Sequence, residues 1–502
     1  MTNRTLRYFD RLITIDQIWL LVPLFLSFLL LSLSTLREGD LWWHLKVGEE
    51  ILRLKSIPEV DYLSFTAFGE PFFFTRSWLS GLLLYIVFLL GGLQSLVLLQ
   101  ALVGLVVIGI LMSLTQERGA KVRIASVAVV LSFLGLYSFS TARPVIFSYL
   151  CFSIFLWVLN IYRYKGRNRL WLLPIIMVLW VNLNSAWVTG LFLVGVFVIL
   201  VFIETIFRRY SLLKIRSLLI WGVFTFLAIF INPLNIGILR DLSTATNNPV
   251  NISFVSEWQP TTILLPHAWP FYLILVLLIV ILAYSKKPPD WIELILVLLF
   301  LALSFRYIRI LPFFYIIVAP TLGIMGSELE INSMSFREKS ARGEEGNQKQ
   351  RKQQFNQLLV VGLLLSAFLS IPQIRLRLIG EPAIKLVDSY FPIGASEYLD
   401  QLPQEGIRLF SLTEWGGFLG WRHHPQMYVF NDGRVEQFPL SVWGDYYQII
   451  SAGNGWYELL RTYQVDYVVL SKEQLGRLIS EVREAGLECP YEDSNSIVCS
   501  IQ

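Results

Sequence analysis

Long apolar runs recur along the chain, among them "QIWLLVPLFLSFLLLSLSTL", "SLVLLQALVGLVVIGILMSL" and "LLVVGLLLSAFLSI". Each is about as long as a helix needs to be to cross a hydrocarbon core. Candidate spans fall at 16–36, 95–114, 124–140, 144–162, 170–182, 187–207, 217–232, 268–285, 291–304, 310–326 and 357–372, about eleven in all. Three stretches break the pattern. Behind the first span, Leu41, Leu45, Gly48 and Leu52 share one face of a segment that opens at Asp40, which predicts a helix lying in the membrane interface. Residues 327–356 are polar and mixed in charge, which predicts a flexible linker. From 373 to 502, the strand-like runs "IRLFSL", "MYVF", "DYVVL" and "SIVCSI" alternate with the helical runs "SVWGDYYQII", "GWYELLRTY" and "KEQLGRLISEVREAG". That alternation predicts a small soluble α/β domain.

The basic residues set the topology. The N-terminus and the loops "ERGAKVR", "YRYKGRNR", "RRYSLLKIR", "SKKPPD" and 327–356 hold 22 of the 41 Lys and Arg residues, and the loops on the other face hold nine. Placing the first set inside satisfies the positive-inside tendency. The N-terminus and the linker are then cytoplasmic, 357–372 is the last span, and 373–502 is non-cytoplasmic. Residues 78–92, "WLSGLLLYIVFLLGG", could form a twelfth span, but a crossing there would swap the face of every later loop. They are therefore read as a short re-entrant or interfacial helix within an outer loop, 37–94. The transmembrane module covers 1–326. A bacterial inner (plasma) membrane is the expected location, with the first apolar run serving as a retained anchor.

Composition supports this. Only 16% of residues are charged and the mean hydropathy is +0.58, against about 25% charge in ordinary soluble domains. A net charge of +4 is too small to suggest nucleic acid. Of three cysteines, Cys151 lies within an apolar run, and Cys489 and Cys499 are able to pair in an oxidising compartment.

The polar residues that solubility does not explain gather on the outer face. Glu38, Asp40, Trp42, Trp43, His44, Asp61 and Arg76 lie in the first outer loop, and Arg143, Asn182, Asn184, Glu257, Arg306 and Arg309 lie near span ends. Each has a plainer role. Asp40 can cap a helix, Trp42 and Trp43 can anchor at headgroup depth, His44 can be structural, and Arg306 and Arg309 can snorkel. The asparagines can satisfy backbone groups. However, outer arginines run against the positive-inside bias, and carboxylates and arginines on one membrane surface suit one reaction class. Moving a sugar from a lipid-phosphate donor needs a base for the acceptor hydroxyl and cations for the departing phosphate, which the guanidinium fork matches. Asp432 and Arg434, in the tail motif "NDGR", are placed on a loop that points at this site. The alternative for them is a local Asp–Gly turn and pairing. No second His or Cys stands at metal-ligand spacing to His44. No cofactor is required; Asp40 and Glu38 are where a divalent cation would bind, but the sequence does not indicate one. The spans lack central ionisable residues, which disfavours a transporter.

The motifs "EGDLWWHLKVGEEIL", "IPEVDYLSFTAFGEP", "ARPVIFSYL", "WVNLNSAWVTG", "INPLN", "SEWQP", "RYIRILPFF", "SLTEWGGFLGW", "VFNDGR" and "YQVDYVVL" resemble those of the C-type (GT-C) glycosyltransferases. That class includes protein O-mannosyltransferases, aminoarabinose transferases and oligosaccharyltransferases, and the closer likeness is to uncharacterised bacterial membrane proteins within it. The resemblance implies a polytopic α-helical membrane protein with about eleven transmembrane helices and a C-terminal soluble α/β domain. It implies transfer of a hexose or pentose from a polyprenyl-phosphate-linked donor to a glycan, lipid or protein acceptor, with Asp40 as catalytic base and Glu38 as its substitute. Trp42, Trp43, His44, Asp61, Arg76, Arg143, Asn182, Asn184, Glu257, Arg306, Arg309, Asp432 and Arg434 form the expected substrate-binding set. Asn184 stands where the family pattern "W-x-N-x-H-G" has a His, a departure that bears on specificity or activity. The alternative is a non-enzymatic membrane scaffold or assembly factor that keeps the fold.

Overall fold

The computed structural model describes residues 14–72, 77–207, 212–285, 288–334, 346–403 and 405–501. The first half contains α1 (Ile15–Leu33), α2 (Asp40–Leu54), α3 (Trp78–Glu117), α4 (Val122–Tyr137), α5 (Val145–Lys165), α6 (Leu172–Leu183), α7 (Trp187–Ile206) and α8 (Leu212–Ala228). Two short helices, α9 (Gly237–Asn247) and α10 (Pro249–Phe254), precede α11 (Trp269–Tyr284), α12 (Trp291–Arg306), α13 (Leu311–Met334) and α14 (Gly346–Ser370). Every predicted span coincides with a helix. Among the described residues, seven helices are long and apolar enough to cross a membrane, and α4, α6 and most of α8 are shorter apolar helices. The interior of this bundle is aromatic: Phe152, Phe155, Trp180, Phe271, Phe300, Phe313, Phe314 and Tyr315 are fully or almost fully buried. Half-buried ion pairs fasten helix ends at the basic loops, Arg118 to Glu293 at 2.8 Å and Arg163 to Asp290 at 2.8 Å.

Two segments need comment. Residues 78–90 form the first arm of α3, separated from the next span where Gly91 (φ −170°, ψ 28°) and Gly92 (φ 66°, ψ −156°) leave helical geometry, so the helix breaks at the glycine pair noted in the sequence. The left-handed φ at Gly92 is one that glycine adopts without a side-chain penalty. This first arm packs along α2, where Gly48 and Gly81 bring the two backbones into contact. Within the expected linker, α13 continues to Met334 and α14 starts at Gly346. Residues 335–345 of the expected linker lie outside the described residues, as do the N-terminal residues 1–13.

The tail begins with α15 (Pro372–Ile379) and α16 (Ile393–Leu399). It then builds a five-stranded sheet from β1 (Ile407–Ser411), β2 (Met427–Val429), β3 (Tyr467–Ser471), β4 (Tyr491–Glu492) and β5 (Ser496–Ser500) in the order β2-β1-β3-β5-β4. β1 runs parallel to β2 and β3, while β5 runs antiparallel to β3 and β4. α17 (Thr413–His423) crosses from β1 to β2, and α18 (Leu440–Ile450), α19 (Trp456–Thr462) and α20 (Gly476–Glu484) complete the domain. Cys489 and Cys499 form a disulfide, and Cys151 is free and buried.

The tail packs against the segment that follows α1. Ser64 bridges Val429 on the edge strand β2, with Phe65 N donating to Val429 O at 3.1 Å and Val429 N donating to Leu63 O at 3.3 Å. The loop thus covers an edge whose backbone groups would otherwise need water. Leu36 N donates to Leu386 O at 2.7 Å, and Lys46 Nζ donates to His424 O at 3.0 Å. One apolar core, with Trp42, Leu45, Trp415, Phe418 and Leu419 at its centre, spans both parts.

Candidate active site

α2 starts where the outer loop meets the tail. Gly39 is its N-cap, and no side chain caps it. Asp40 is therefore the first helical residue rather than the cap. One turn on, Trp43 Nε1 donates to Asp40 Oδ1 at 3.1 Å, and the Trp43 ring stacks on His44 at 3.5 Å. Both rings are buried. Burial pushes the Asp40 carboxyl up to about 7, against the pull of Arg143 and the Trp43 hydrogen bond, with Glu38 and Glu257 adding to the rise.

Arg143 comes from the turn between α4 and α5. Its Nη2 meets Glu257 Oε1 at 2.5 Å and its Nη1 lies 3.6 Å from Glu38 Oε2, while its Nε–H is buried without a partner. Burial disfavours its charge, but Glu257 and Glu38 outweigh that and hold the guanidinium above its ordinary value. Arg143 in turn holds the Glu257 carboxyl below the usual range. No ion pair joins Asp40 to Arg143 among the described residues. Arg309 lies over the Trp258 ring at 4.5 Å.

Three adjoining cavities share Arg143 and Glu257. One, of about 340 Å³, runs among the helices, with Val145, Tyr149, Trp187, Val188, Ile310 and Phe313 as apolar wall and Arg143, Glu257, Arg309 and Asp241 as polar groups. The second, about 500 Å³, opens between outer loop and tail and is lined by Glu38, Asp40, Thr413, Glu414, Gly433, Tyr446, Tyr447 and Gln474. The third, about 180 Å³, connects the same groups through Asp40, Trp43, His44, Asn184, Arg309 and Gly433. An apolar cleft and a polar cleft therefore meet at a guanidinium, with one carboxyl of raised pKa at the junction.

The structure brings Glu38, Asp40, Trp43, His44, Arg143, Asn184, Glu257 and Arg309 together and places Trp42, Asp61, Asn182, Arg306, Asp432 and Arg434 elsewhere. Trp42 is fully buried and packs edge-on against Phe391 and Phe418 and tilted against Trp421. It is a core residue, neither a sugar platform nor an interface anchor, because helix periodicity turns it away from Trp43 toward the tail. Asp61, Asp432 and Arg434 are not substrate ligands either. Arg434 is fully buried and binds Asp61 at 2.7 Å and Asp432 at 2.8 Å, so their charges are spent on one another. Asn182 is likewise satisfied internally, accepting from Trp78 Nε1 at 2.8 Å and donating to Val178 O and Ile231 O. Arg306 is exposed, lies over Tyr307 at 4.8 Å, and lines none of the cavities described. Arg76 lies outside the described residues. Asn184 Oδ1 accepts from Ser148 Oγ and Ala186 N, both at 3.0 Å.

Sequence reasoning missed most of the tail side of the polar cavity: Thr413, Glu414, Tyr446, Tyr447 and Gln474. Glu414 reads as an ordinary first-turn acid of a helix, and only the docking of α17 on α2 carries it to the cavity. The "NDGR" loop does reach the site, through Gly433 rather than through its charged neighbours. Among the described residues, no three His, Cys, Asp or Glu side chains gather as a metal site.

No family model matches the chain, and no curated protein matches it. Solved structures do share its fold. The oligosaccharyltransferase of Archaeoglobus fulgidus, tethered with an acceptor peptide containing the NVT sequon, superposes with a TM-score of 0.58 at 14% identity, over 93% of this chain and 70% of that one. ArnT from Cupriavidus metallidurans, bound to undecaprenyl phosphate, gives 0.51 at 15% identity over 97% of both chains. The arabinofuranosyltransferase AftD from Mycobacteria gives 0.55 at 14% identity, over 97% of this chain and 40% of that one. These neighbours are GT-C glycosyltransferases. At such identities the likeness establishes the fold, a helical membrane module with a small C-terminal sheet domain.

Proposed function

We propose that the chain is a membrane glycosyltransferase that takes a sugar from a polyprenyl-phosphate-linked donor and passes it to a hydroxyl of an envelope glycan, lipid or protein at the outer face of a bacterial inner membrane. The observation that supports this most is the joint placement of Asp40 and Arg143 on one polar cavity without an ion pair between them. A base locked to a cation would be too weak to take a proton.

In this reading the prenyl chain lies in the apolar cavity and its phosphate is held at Arg143 and Arg309. A phosphate oxygen displaces Glu257 from Arg143, and the cationic fork stabilises the charge that builds on the leaving group. The acceptor enters the polar cavity. Asp40 takes the hydroxyl proton as the acceptor oxygen bonds to the anomeric carbon, and the bond from that carbon to the phosphate oxygen breaks. Polyprenyl phosphate leaves with the electron pair. Trp43, beside Asp40, is the aromatic face nearest the reacting sugar. The step needs no metal. The oligosaccharyltransferase with its acceptor peptide and ArnT with its undecaprenyl phosphate have these two ligand types on the same fold.

The test uses the full chain in lipid nanodiscs with a panel of undecaprenyl-phosphate-linked sugars and an envelope extract, and follows release of undecaprenyl phosphate. Release that Asp40→Asn abolishes supports the reading. Release that Asp40→Asn leaves unchanged refutes the mechanism, and no release with any donor favours a scaffold.

A further inference from the structure

We infer that the tail domain completes the catalytic centre, with Gly433 as a positioning residue that seats one oxygen of Asp40 and leaves the other for the acceptor. The inference rests on the reading of Asp40 as the base, and it carries that reading into a part of the chain with no other assigned role in the chemistry.

The geometry comes from two sides. Within α2, Trp43 Nε1 donates to Asp40 Oδ1 at 3.1 Å. From the tail, Gly433 closes over the same atom. A Cβ built on Gly433 would overlap Oδ1 and would stand 3.4 Å from Asp40 Cγ and 3.5 Å from Trp43 Nε1. Gly433 is not among the residues with positive φ, so the backbone does not demand glycine there; the space does. The loop is also not free to yield. Asp432 and Arg434 on either side of Gly433 are buried, with Arg434 Nε donating to Asp432 Oδ1 at 2.8 Å, Arg434 N to the same oxygen at 3.0 Å, and Arg434 Nη1 to Asp61 Oδ1 at 2.7 Å. The buried ion-pair cluster therefore holds a bare backbone segment against the carboxyl.

The consequence is a base with two unlike oxygens. Oδ1 is enclosed by the indole N–H and by Gly433, while Oδ2 has no hydrogen-bond partner among the described residues, and Asp40 lines the polar cavity. A carboxyl held in one rotamer offers its proton-accepting oxygen in one direction, as in-line transfer requires. Other charges act on the same carboxyl: Glu38 from its own loop, Arg143 from the turn before α5, and Glu257 from the loop before α11. On the tail side, Glu414 and Glu436 line the cavities.

The experiment follows the protonation of Asp40 directly, without a substrate. The full chain in nanodiscs is treated with N,N′-dicyclohexylcarbodiimide, which reacts with protonated carboxyls, and the Asp40 peptide is quantified by mass spectrometry across pH. Trp43→Phe removes a hydrogen bond that favours the charged form, so the labelling midpoint moves up by roughly half to one pH unit. Gly433→Ala pushes the carboxyl off the indole and moves the midpoint the same way, and the double variant moves no further than either single one. A Gly433→Ala midpoint equal to wild type overturns the inference, as do additive shifts. If Gly433→Ala does not fold, an unmoved midpoint in Trp43→Phe overturns it. Failure of the underlying reading is separate: it appears as undecaprenyl phosphate release that survives Asp40→Asn, whatever the labelling shows.

Discussion

Asp61 and Arg434 are 373 positions apart in the chain, yet their side chains meet at 2.7 Å with no exposure to solvent. One belongs to the first outer loop and the other to the tail. Asp432 shares the same guanidinium at 2.8 Å, so two carboxylates hold one cation, and the three form a clasp between loop and domain. The tail is therefore a fixed wall of the polar cavity. A loosely tethered cover would need no buried ion pair and no shared strand edge at Ser64 and Val429.

Breaking this clasp is expected to be costly. Arg434→Gln leaves Asp61 and Asp432 buried side by side with no cation, which should destabilise the protein by about 3–5 kcal/mol. Asp61→Asn should cost less, because Asp432 still pairs with Arg434. Thermal unfolding of the detergent-solubilised variants measures both, and a midpoint for Arg434→Gln equal to wild type would contradict the clasp.

The disulfide between Cys489 and Cys499 tests the side on which the tail resides. A bond of this kind persists in an oxidising compartment and not in a reducing cytosol. In cells lysed under denaturing conditions with a maleimide-polymer reagent present, one cysteine, Cys151, should be labelled before reduction and all three after it. Three labelled cysteines without reduction would place the tail on the cytoplasmic side.

The sequence made the helices legible because a span needs a long apolar run and little else, and each of the eleven runs corresponds to a helix. Four of the five strands of the tail, β1, β2, β3 and β5, were legible from short strand-like runs, and the two-residue β4 was not. The kink at Gly91 and Gly92 was half visible: two glycines marked a break, but whether the chain turned back or merely bent depends on how the first arm packs on α2. The candidate site was legible where a charge stood out against its surroundings in sequence, as with Asp40 just past the first span and Arg143 against the positive-inside bias. It was not legible where charges neutralise one another, since Asp61, Asp432 and Arg434 are as polar in sequence as true ligands and only long-range contact reveals their pairing. Trp42 and Trp43 show the same limit. Adjacent residues on a helix point about 100° apart, so one serves the core and the other the cavity, and composition cannot say which.

The raised pKa of Asp40 predicts a definite pH dependence. As a base it works only when ionised, so transfer should rise with pH through about 7 and fade below it. The stability effect has the opposite sense. A carboxyl whose folded pKa exceeds its unfolded value favours the fold while protonated, and that contribution is lost as pH rises through about 7. Asp40→Asn, which stays neutral, should therefore be more stable than wild type at pH 8.5, by on the order of 1–2 kcal/mol after allowance for water in the cavity. It should differ little only below about pH 3.8, where the unfolded carboxyl is protonated as well. Equal stability of the two proteins at pH 8.5 would mean that the carboxyl is not desolvated.

Arg306 and Arg309 are two helical residues of the same type, three positions apart, and the structure assigns them different surroundings. Arg309 lies over Trp258 and lines both the apolar cavity and the small junction cavity. Arg306 is exposed and rests on Tyr307. If the donor phosphate sits at the meeting point of the cavities, Arg309→Ala should raise the donor KM tenfold or more, about 1.4 kcal/mol in binding. Arg306→Ala should change it less than twofold, as expected for a solvated charge. Lys at 309 should recover only part of the loss, because an ammonium keeps the charge but not the planar fork or the stacking on Trp258. Titration of undecaprenyl phosphate into the three purified variants measures the same ordering without knowledge of the sugar. Equal losses from both alanine variants would mean that long-range charge, rather than the position of Arg309 in the cavity wall, governs donor binding.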